Sequence, residues 1–109
     1  MIATAHVAEN RTIFTYELDG QARGVATGYR DGDTFVVEHV TVFPGAPAAM
    51  LLGMVRAGID EAFARGIQTL IFYVPEDGYE GLALLGRRVG FTEYACERGF
   101  RWFVKWLIS

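Results

Sequence analysis

The chain has 109 residues, the size of one ordinary domain. It is 51% apolar and 14% aromatic, so a packed core rather than a disordered chain is expected. A net charge of −3 argues against a nucleic-acid partner, which calls for a basic surplus. Five of the ten basic residues fall late, at Arg87, Arg88, Arg98, Arg101 and Lys105. They read as solvated faces of a helix and a hairpin rather than as a phosphate-binding patch. Cys96 is the only cysteine, which excludes an intrachain disulfide and a multi-cysteine zinc site. No apolar run reaches membrane-spanning length, and no charged-then-apolar leader opens the chain. The expectation is a soluble cytoplasmic protein with no membrane partner.

In chain order, residues 1–10 show no pattern beyond room for a short strand. Residues Thr12 to Leu18 alternate, with Phe14, Tyr16 and Leu18 on one side, as in a half-buried strand. Asp19-Gly20 is a hairpin signal, since a tight type I′ turn needs positive φ at both central positions. The partner strand runs from about Ala22 to Arg30. Val25, Thr27 and Tyr29 lie on one face, while Ala22, Gly24, Ala26 and Gly28 on the other allow close approach of another element. Asp31-Gly32 repeats the hairpin signal, and a more continuously apolar strand follows from Thr34 to Phe43.

A long helix is predicted from Pro47 to Arg65, with Pro at the first turn and Gly66 past the end. Leu51, Val55, Ile59, Ala62 and Phe63 form its apolar stripe. The unbroken apolar run Thr69 to Val74 reads as a strand covered on both faces, parallel to the one before the helix. A second helix spans about Tyr79 to Val89 and stops at Gly90. Two strands, Phe91 to Cys96 and Phe100 to Ile108, close the chain around Glu97-Arg98-Gly99.

The order βββ–α–β–α–ββ, together with two stretches, resembles the GNAT family of N-acetyltransferases. One stretch is Val37-Glu38-His39-Val40-Thr41-Val42-Phe43-Pro44 before the long helix. The other is Arg88-Val89-Gly90-Phe91 at the end of the second helix. The resemblance covers residues from about 12 onward. It implies a single α/β domain over residues 1–109: a mixed sheet with two central parallel strands, helices on its faces, and the family's usual N-terminal helices missing.

In that family an Arg/Gln-x-x-Gly-x-Gly/Ala signature opens the long helix, and its backbone amides cradle the pyrophosphate of acetyl-CoA. Carried onto this chain, the Arg/Gln position falls on Pro47 and the glycines on Met50 and Leu52. Pro47 also lacks an N–H. The resemblance then implies acetyl-CoA held at Val42 and by the amides of Ala48, Ala49 and Met50, with its thioester between the strands ending at Pro44 and Pro75. The family's acidic tyrosine, four residues before the Gly-Phe pair, corresponds to Gly86. Tyr79, two turns earlier, and Tyr73, on the preceding strand, are the available substitutes. Glu38 and Tyr79 are the implied catalytic pair, with Glu38 taking the amine proton.

Each candidate has a plainer role beside the functional one. Glu38 also fits a paired or solvated strand residue. Alternation sends His39 to the opposite face from Glu38, as a core or helix-covered histidine. Glu76, Asp77 and Glu80 fit helix-dipole partners better than a metal site. Cys96 fits a small buried hydrophobe. On the last strand, Phe100, Trp102, Val104, Trp106 and Ile108 read as core, and the mixed face of Arg101, Phe103, Lys105 and Leu107 as a possible homodimer contact. Two functions follow: an acyl-CoA-dependent N-acyltransferase acting on an unidentified small-molecule or protein amine, or a non-catalytic module of the same fold that binds a partner or a second copy.

Overall fold

The computed structural model describes residues 2–8, 10–47 and 49–107. Seven strands form one sheet: β1 (Ile2–Ala8), β2 (Arg11–Leu18), β3 (Gln21–Asp31), β4 (Thr34–Val42), β5 (Thr69–Pro75), β6 (Thr92–Glu97) and β7 (Phe100–Trp106). Helix α1 (Met50–Ala64) links β4 to β5, and α2 (Glu80–Arg88) links β5 to β6. The spatial order is β1-β2-β3-β4-β5-β7-β6. The chain therefore carries one strand more at its start than its sequence pattern indicated. Only residues 9 and 10 separate β1 from β2, so no helix intervenes between them.

Local chemistry accounts for the first four strands. Asp19 and Gly20 both take positive φ (55° and 77°), as their hairpin requires, and Gly32 does so in the next turn (61°). Antiparallel ladders then run from β1 through β4. The small residues of β3 face α1. A Cβ on Gly24 would meet the Met54 sulfur at 2.5 Å, so the helix sits directly on the strand.

Helix α1 begins three residues later than predicted, because the chain turns at Pro44 and Gly45 and the Met50 amide donates to the Pro47 carbonyl at 2.9 Å. Its buried residues are Met50, Met54 and Ala62. Phe63, assigned from sequence to the apolar stripe, is 62% exposed. The stripe therefore runs through the methionines, which the helical spacing of Leu51 and Val55 obscured.

Both helices cover the same face of the sheet, not one face each. The Tyr16 hydroxyl lies against Gly58 of α1, where a Cβ would stand at 2.9 Å, and Tyr16 shares its face with Gly24 by register. Phe72 packs against Gly86 of α2, and the β4–β5 register places Phe72 on the face of Phe35 and Val37. This corrects the assignment of β7. Phe103 is fully buried under α2, stacked on Phe72 at 4.7 Å, while Trp106 on the other face is 61% exposed. The Phe100–Trp102–Val104–Trp106 face is the helix-free one, and Ile108 lies outside the described residues. Alternation shows which residues share a face; which face carries helices is set by the crossovers.

The parallel pair β4–β5 is hydrogen-bonded only from Thr34↔Thr69 to Val37↔Phe72. β4 continues to Val42 and β5 to Pro75, so the two strands part at Glu38 and Tyr73. The cause lies in β4. Its pairing with β3 shifts between Thr27↔His39 and Gly28↔Val37, leaving Glu38 as the extra residue of a β-bulge. Gly28 sits opposite, where an added Cβ would come 2.2 Å from the Val36 carbonyl oxygen and 2.6 Å from the Phe35 ring. Only glycine permits that approach without a shift. Gly28→Ala should therefore lower the unfolding free energy by about 1–3 kcal/mol. Gly81→Ala, in α2 with nothing within 4 Å of the new carbon, should raise it by up to about 1 kcal/mol. Urea unfolding followed by circular dichroism reads both, and similar effects at the two sites would contradict the crowding at the bulge.

Candidate functional site

The gap between the parted strands opens into a cavity of about 110 Å³. Its walls are β4 from Val37 to Val40, Phe72 and Tyr73 of β5, Met54 and Gly58 of α1, and Leu82 and Gly86 of α2. The walls are apolar save at the gap itself, where Glu38, His39 and Tyr73 stand, and at Tyr16.

The bulge decides which way the polar groups face. Without it, successive residues of β4 would alternate and separate Glu38 from His39. With it, His39 pairs with Thr27 on the helix-free face, and Glu38 reaches Arg11 on that same face. His39 is exposed rather than helix-covered, which corrects its expected place. Glu38 is ion-paired with Arg11, whose guanidinium lies 5.2 Å from the centre of the Tyr29 ring. Tyr73 completes the group. Desolvation raises its phenol pKa, and the Glu38 charge raises it further, so its hydroxyl keeps its proton. A carboxylate acceptor and a phenol donor thus flank the point where the strands separate. Tyr73 also contacts Trp102 at 4.7 Å and Phe100 at 5.3 Å between ring centres, which gives the helix-free side of the gap an aromatic floor.

Tyr79 does not line the cavity. It precedes α2 in a left-handed conformation (φ 57°) and is 63% exposed. Gly86, at the position of the family's tyrosine, is filled from the other side: a Cβ there would stand 2.5 Å from the Phe72 ring.

The turn leading into α1 follows the end of β4, and none of its described residues lines the cavity itself. Val42, at the end of β4, is 37% exposed beside the turn. Ala48 lies outside the described residues. The Met50 amide is occupied by Pro47, which corrects its place among the free donors. The amides of Gly45, Ala49 and Leu51 make no backbone hydrogen bond among the described residues. Gly45 has φ +87°, and the Arg23 guanidinium lies 3.6 Å from where its Cβ would be. Arg23 forms no ion pair among the described residues. Helix-start amides and a nearby guanidinium favour an anion at this point. Sequence inspection missed Arg23 because its nearness to the turn comes from the β3–β4 register, in which the Phe43 amide donates to the Arg23 carbonyl at 2.8 Å.

Of the other charged candidates, Glu80 is held in a surface ion-pair network. Glu80 and Glu93 are bridged by Arg87 and Arg101 on the surface of α2 and β6–β7, with Arg101 at 2.8 Å from both carboxylates. Cys96 is exposed, not buried, and desolvation with the Glu76 charge raises its thiol pKa, so it stays protonated.

No protein-family model and no curated protein matches the sequence. Solved structures do match. A GNAT family acetyltransferase from Elizabethkingia anophelis, solved with acetyl-CoA bound, superimposes with a TM-score of 0.79 at 11% identity, over 96% of this chain and 97% of that one. A Bacillus subtilis acetyltransferase in complex with CoA gives 0.77 at 16% identity, over 92% and 79%. An IAA acetyltransferase from Bacillus cereus gives 0.74 at 13%, over 90% and 79%. The chain has the GNAT acetyltransferase fold. The splayed parallel pair and the turn before α1 are parts of that fold here, and no described helix is long and apolar enough to cross a membrane.

Tyr16 supplies a test of how dry the cavity wall is. Burial pushes its phenol up to about 12, and the Glu61 charge adds to the effect. An unfolded tyrosine ionises near 10. The folded chain holds the proton where the unfolded chain releases it, so this stability is complete below pH 10 and is lost as pH rises toward 12. The gap between those values corresponds to about 2.7 kcal/mol. Tyr16→Phe should flatten the fall in unfolding free energy between pH 10 and 12. An unchanged fall, measured by urea unfolding at several pH values, would contradict the burial of this hydroxyl.

Proposed function

We propose that this chain is an acyl-CoA-dependent N-acetyltransferase. The observation that carries the proposal is the apolar gap between β4 and β5, followed along β4 by a turn where the amides of Gly45 and Ala49 make no backbone hydrogen bond among the described residues and the Arg23 guanidinium lies near Gly45. These residues fit acetyl-CoA in kind. The amides and Arg23 suit a pyrophosphate, and the slot suits an uncharged, extended thiol arm. That a GNAT chain of nearly the same length has been solved with acetyl-CoA argues that so short a form can hold one.

In the transfer, an amine nitrogen bonds to the thioester carbonyl carbon and the carbon–sulfur bond breaks. The amine gives up a proton and the departing thiolate takes one. Glu38 is placed to accept the first, with Arg11 and Tyr29 fixing its carboxylate. Tyr73 is placed to donate the second, and its raised pKa keeps the proton available. Most of the acceleration comes from holding amine and thioester together in the gap. The acceptor approaches from the helix-free face, where Glu38 and Tyr73 point.

A non-catalytic module is the second reading. Gly86 in place of the tyrosine and the occupied Met50 amide favour it. Titration calorimetry with acetyl-CoA tests binding, and turnover on amines then separates the two. At a ligand concentration one hundred times its Kd, the unfolding free energy should rise by about 2.7 kcal/mol. Arg23→Ala should weaken CoA binding about tenfold while leaving pantetheine, which lacks the pyrophosphate, unaffected. Glu38→Gln should lower turnover with a panel of small amines by about 10² or more at unchanged acetyl-CoA affinity. Binding with no turnover on any amine would favour the module, and no binding at millimolar acetyl-CoA would remove the enzyme.

A further inference from the structure

The cavity extends further than a thiol arm between β4 and β5 requires. Its wall continues beneath α1 to Ala26 of β3 and to Phe14 and Tyr16 of β2. β2 lies two strands beyond β4. Strands are about 4.8 Å apart, so that end is about 10 Å from the gap. An arm confined to the gap does not reach it.

The far part has the character of a tail pocket. Its lining is apolar except for the Tyr16 hydroxyl, which lies against Gly58, and small residues, Ala26 on β3 and Ala62 on α1, border the space. Protein interiors are ordinarily packed without such space, and an unfilled void costs stability. An apolar cavity of about 150 Å³ stays dry and accepts benzene. On that scale the cavity as a whole, gap and far part together at 110 Å³, has room for about four or five carbon atoms. The Phe14 and Phe35 rings, packed edge to face at 5.5 Å between centres, close the far end. A second, larger cavity of about 460 Å³ lies on the other side of this pair, toward Arg30 and Arg65.

We propose that the site takes an acyl group of about four to six carbons in preference to acetyl, with its tail lying under α1 toward Phe14 and Tyr16. The proposal rests on the acyl-CoA reading above and adds the identity of the acyl group. The same carbon–nitrogen bond forms and the same carbon–sulfur bond breaks; only the tail differs. The preference comes from methylene groups removed from water into space the protein leaves unfilled. It has an upper limit, because the Phe14–Phe35 pair stops the tail.

The test is a titration of the whole chain with CoA and with acetyl-, butanoyl-, hexanoyl- and decanoyl-CoA. Hexanoyl-CoA is expected to bind at least tenfold more tightly than acetyl-CoA, and decanoyl-CoA no more tightly than hexanoyl-CoA. Equal affinity for acetyl- and hexanoyl-CoA would overturn the tail pocket and leave the acyl-CoA reading standing. Failure of every thioester and of CoA itself would remove that reading and the pocket with it. Affinity that keeps rising to decanoyl-CoA would overturn the closed end. Ala26→Leu fills the pocket from β3, and in a protein that melts within a few degrees of the parent it should abolish the hexanoyl advantage. Its survival in such a variant would place the tail elsewhere and overturn the proposal.

Discussion

One extra residue in one strand sets the rest of the site. Glu38 is inserted into β4 opposite Gly28, and beyond that point β4 follows β3 instead of β5. A parallel strand whose neighbour bends away leaves backbone groups unpaired, which a protein interior tolerates only where water or a ligand can reach them. The bulge therefore creates an opening between two central strands without a break in the sheet, since β3–β4 and β5–β7 stay paired on either side. Gly28 is the permissive element, because its missing side chain lets the Val36 carbonyl and the Phe35 ring close over the bulge. The same insertion turns Glu38 and His39 to one face, so it aims the chemistry as well as making room for it.

The one-sided layering follows from the connections. Two crossovers run in the same direction along the sheet, from β4 to β5 and from β5 to β6, and both helices land on one face. That face buries Phe14, Tyr16, Phe35, Leu70, Phe72 and Phe103. The other face keeps Tyr73 and Trp102 beside the gap and Trp106 at the paired end of β5, with no helix above them among the described residues. A sheet covered on one side offers two distinct approaches to a slot through its middle. One is lined by helices and apolar side chains, the other by aromatic rings and an ion pair. A reaction between an apolar thioester and a polar amine has use for that asymmetry, because each partner arrives through the medium that suits it.

Much of the fold was legible in the residues. Asp-Gly pairs marked both hairpins, Pro47 and Gly66 bracketed the first helix, and Gly90 ended the second. The unbroken run from Thr69 to Val74 identified the central strand. Three things were not legible, each for a physical reason. The bulge leaves no mark in β4, since Val37-Glu38-His39-Val40 is compatible with simple alternation, and so His39 was misplaced. The buried face of β7 was inverted because both faces are rich in aromatic residues and only the position of α2 distinguishes them. Arg23 and Tyr73 gained roles from strand register, a property of pairs of strands that no single segment carries. The site was therefore legible as a location, from the strand–turn–helix at residues 38–66, and less so as a set of groups.

On the acyl-CoA reading proposed above, the turn into α1 keeps an anion site although the family's residues are gone. Proline at position 47 removes a donor, the 47–50 hydrogen bond takes another, and Leu52 stands where a glycine would let a phosphate approach. Amides are weak partial charges, and their joint effect falls off within the first helical turn. A guanidinium carries a full charge and can bind a phosphate through two parallel N–H groups. One Arg23 can thus replace several lost amides in strength, though not in shape, because a backbone cradle surrounds its anion and an arginine meets it from one side. Such a site holds the phosphates less rigidly and leans more on the apolar slot to fix the thioester. On the same reading a longer tail in that slot would supply the positioning that the turn has given up, tying the depth of the cavity to the wear in the helix-start signature.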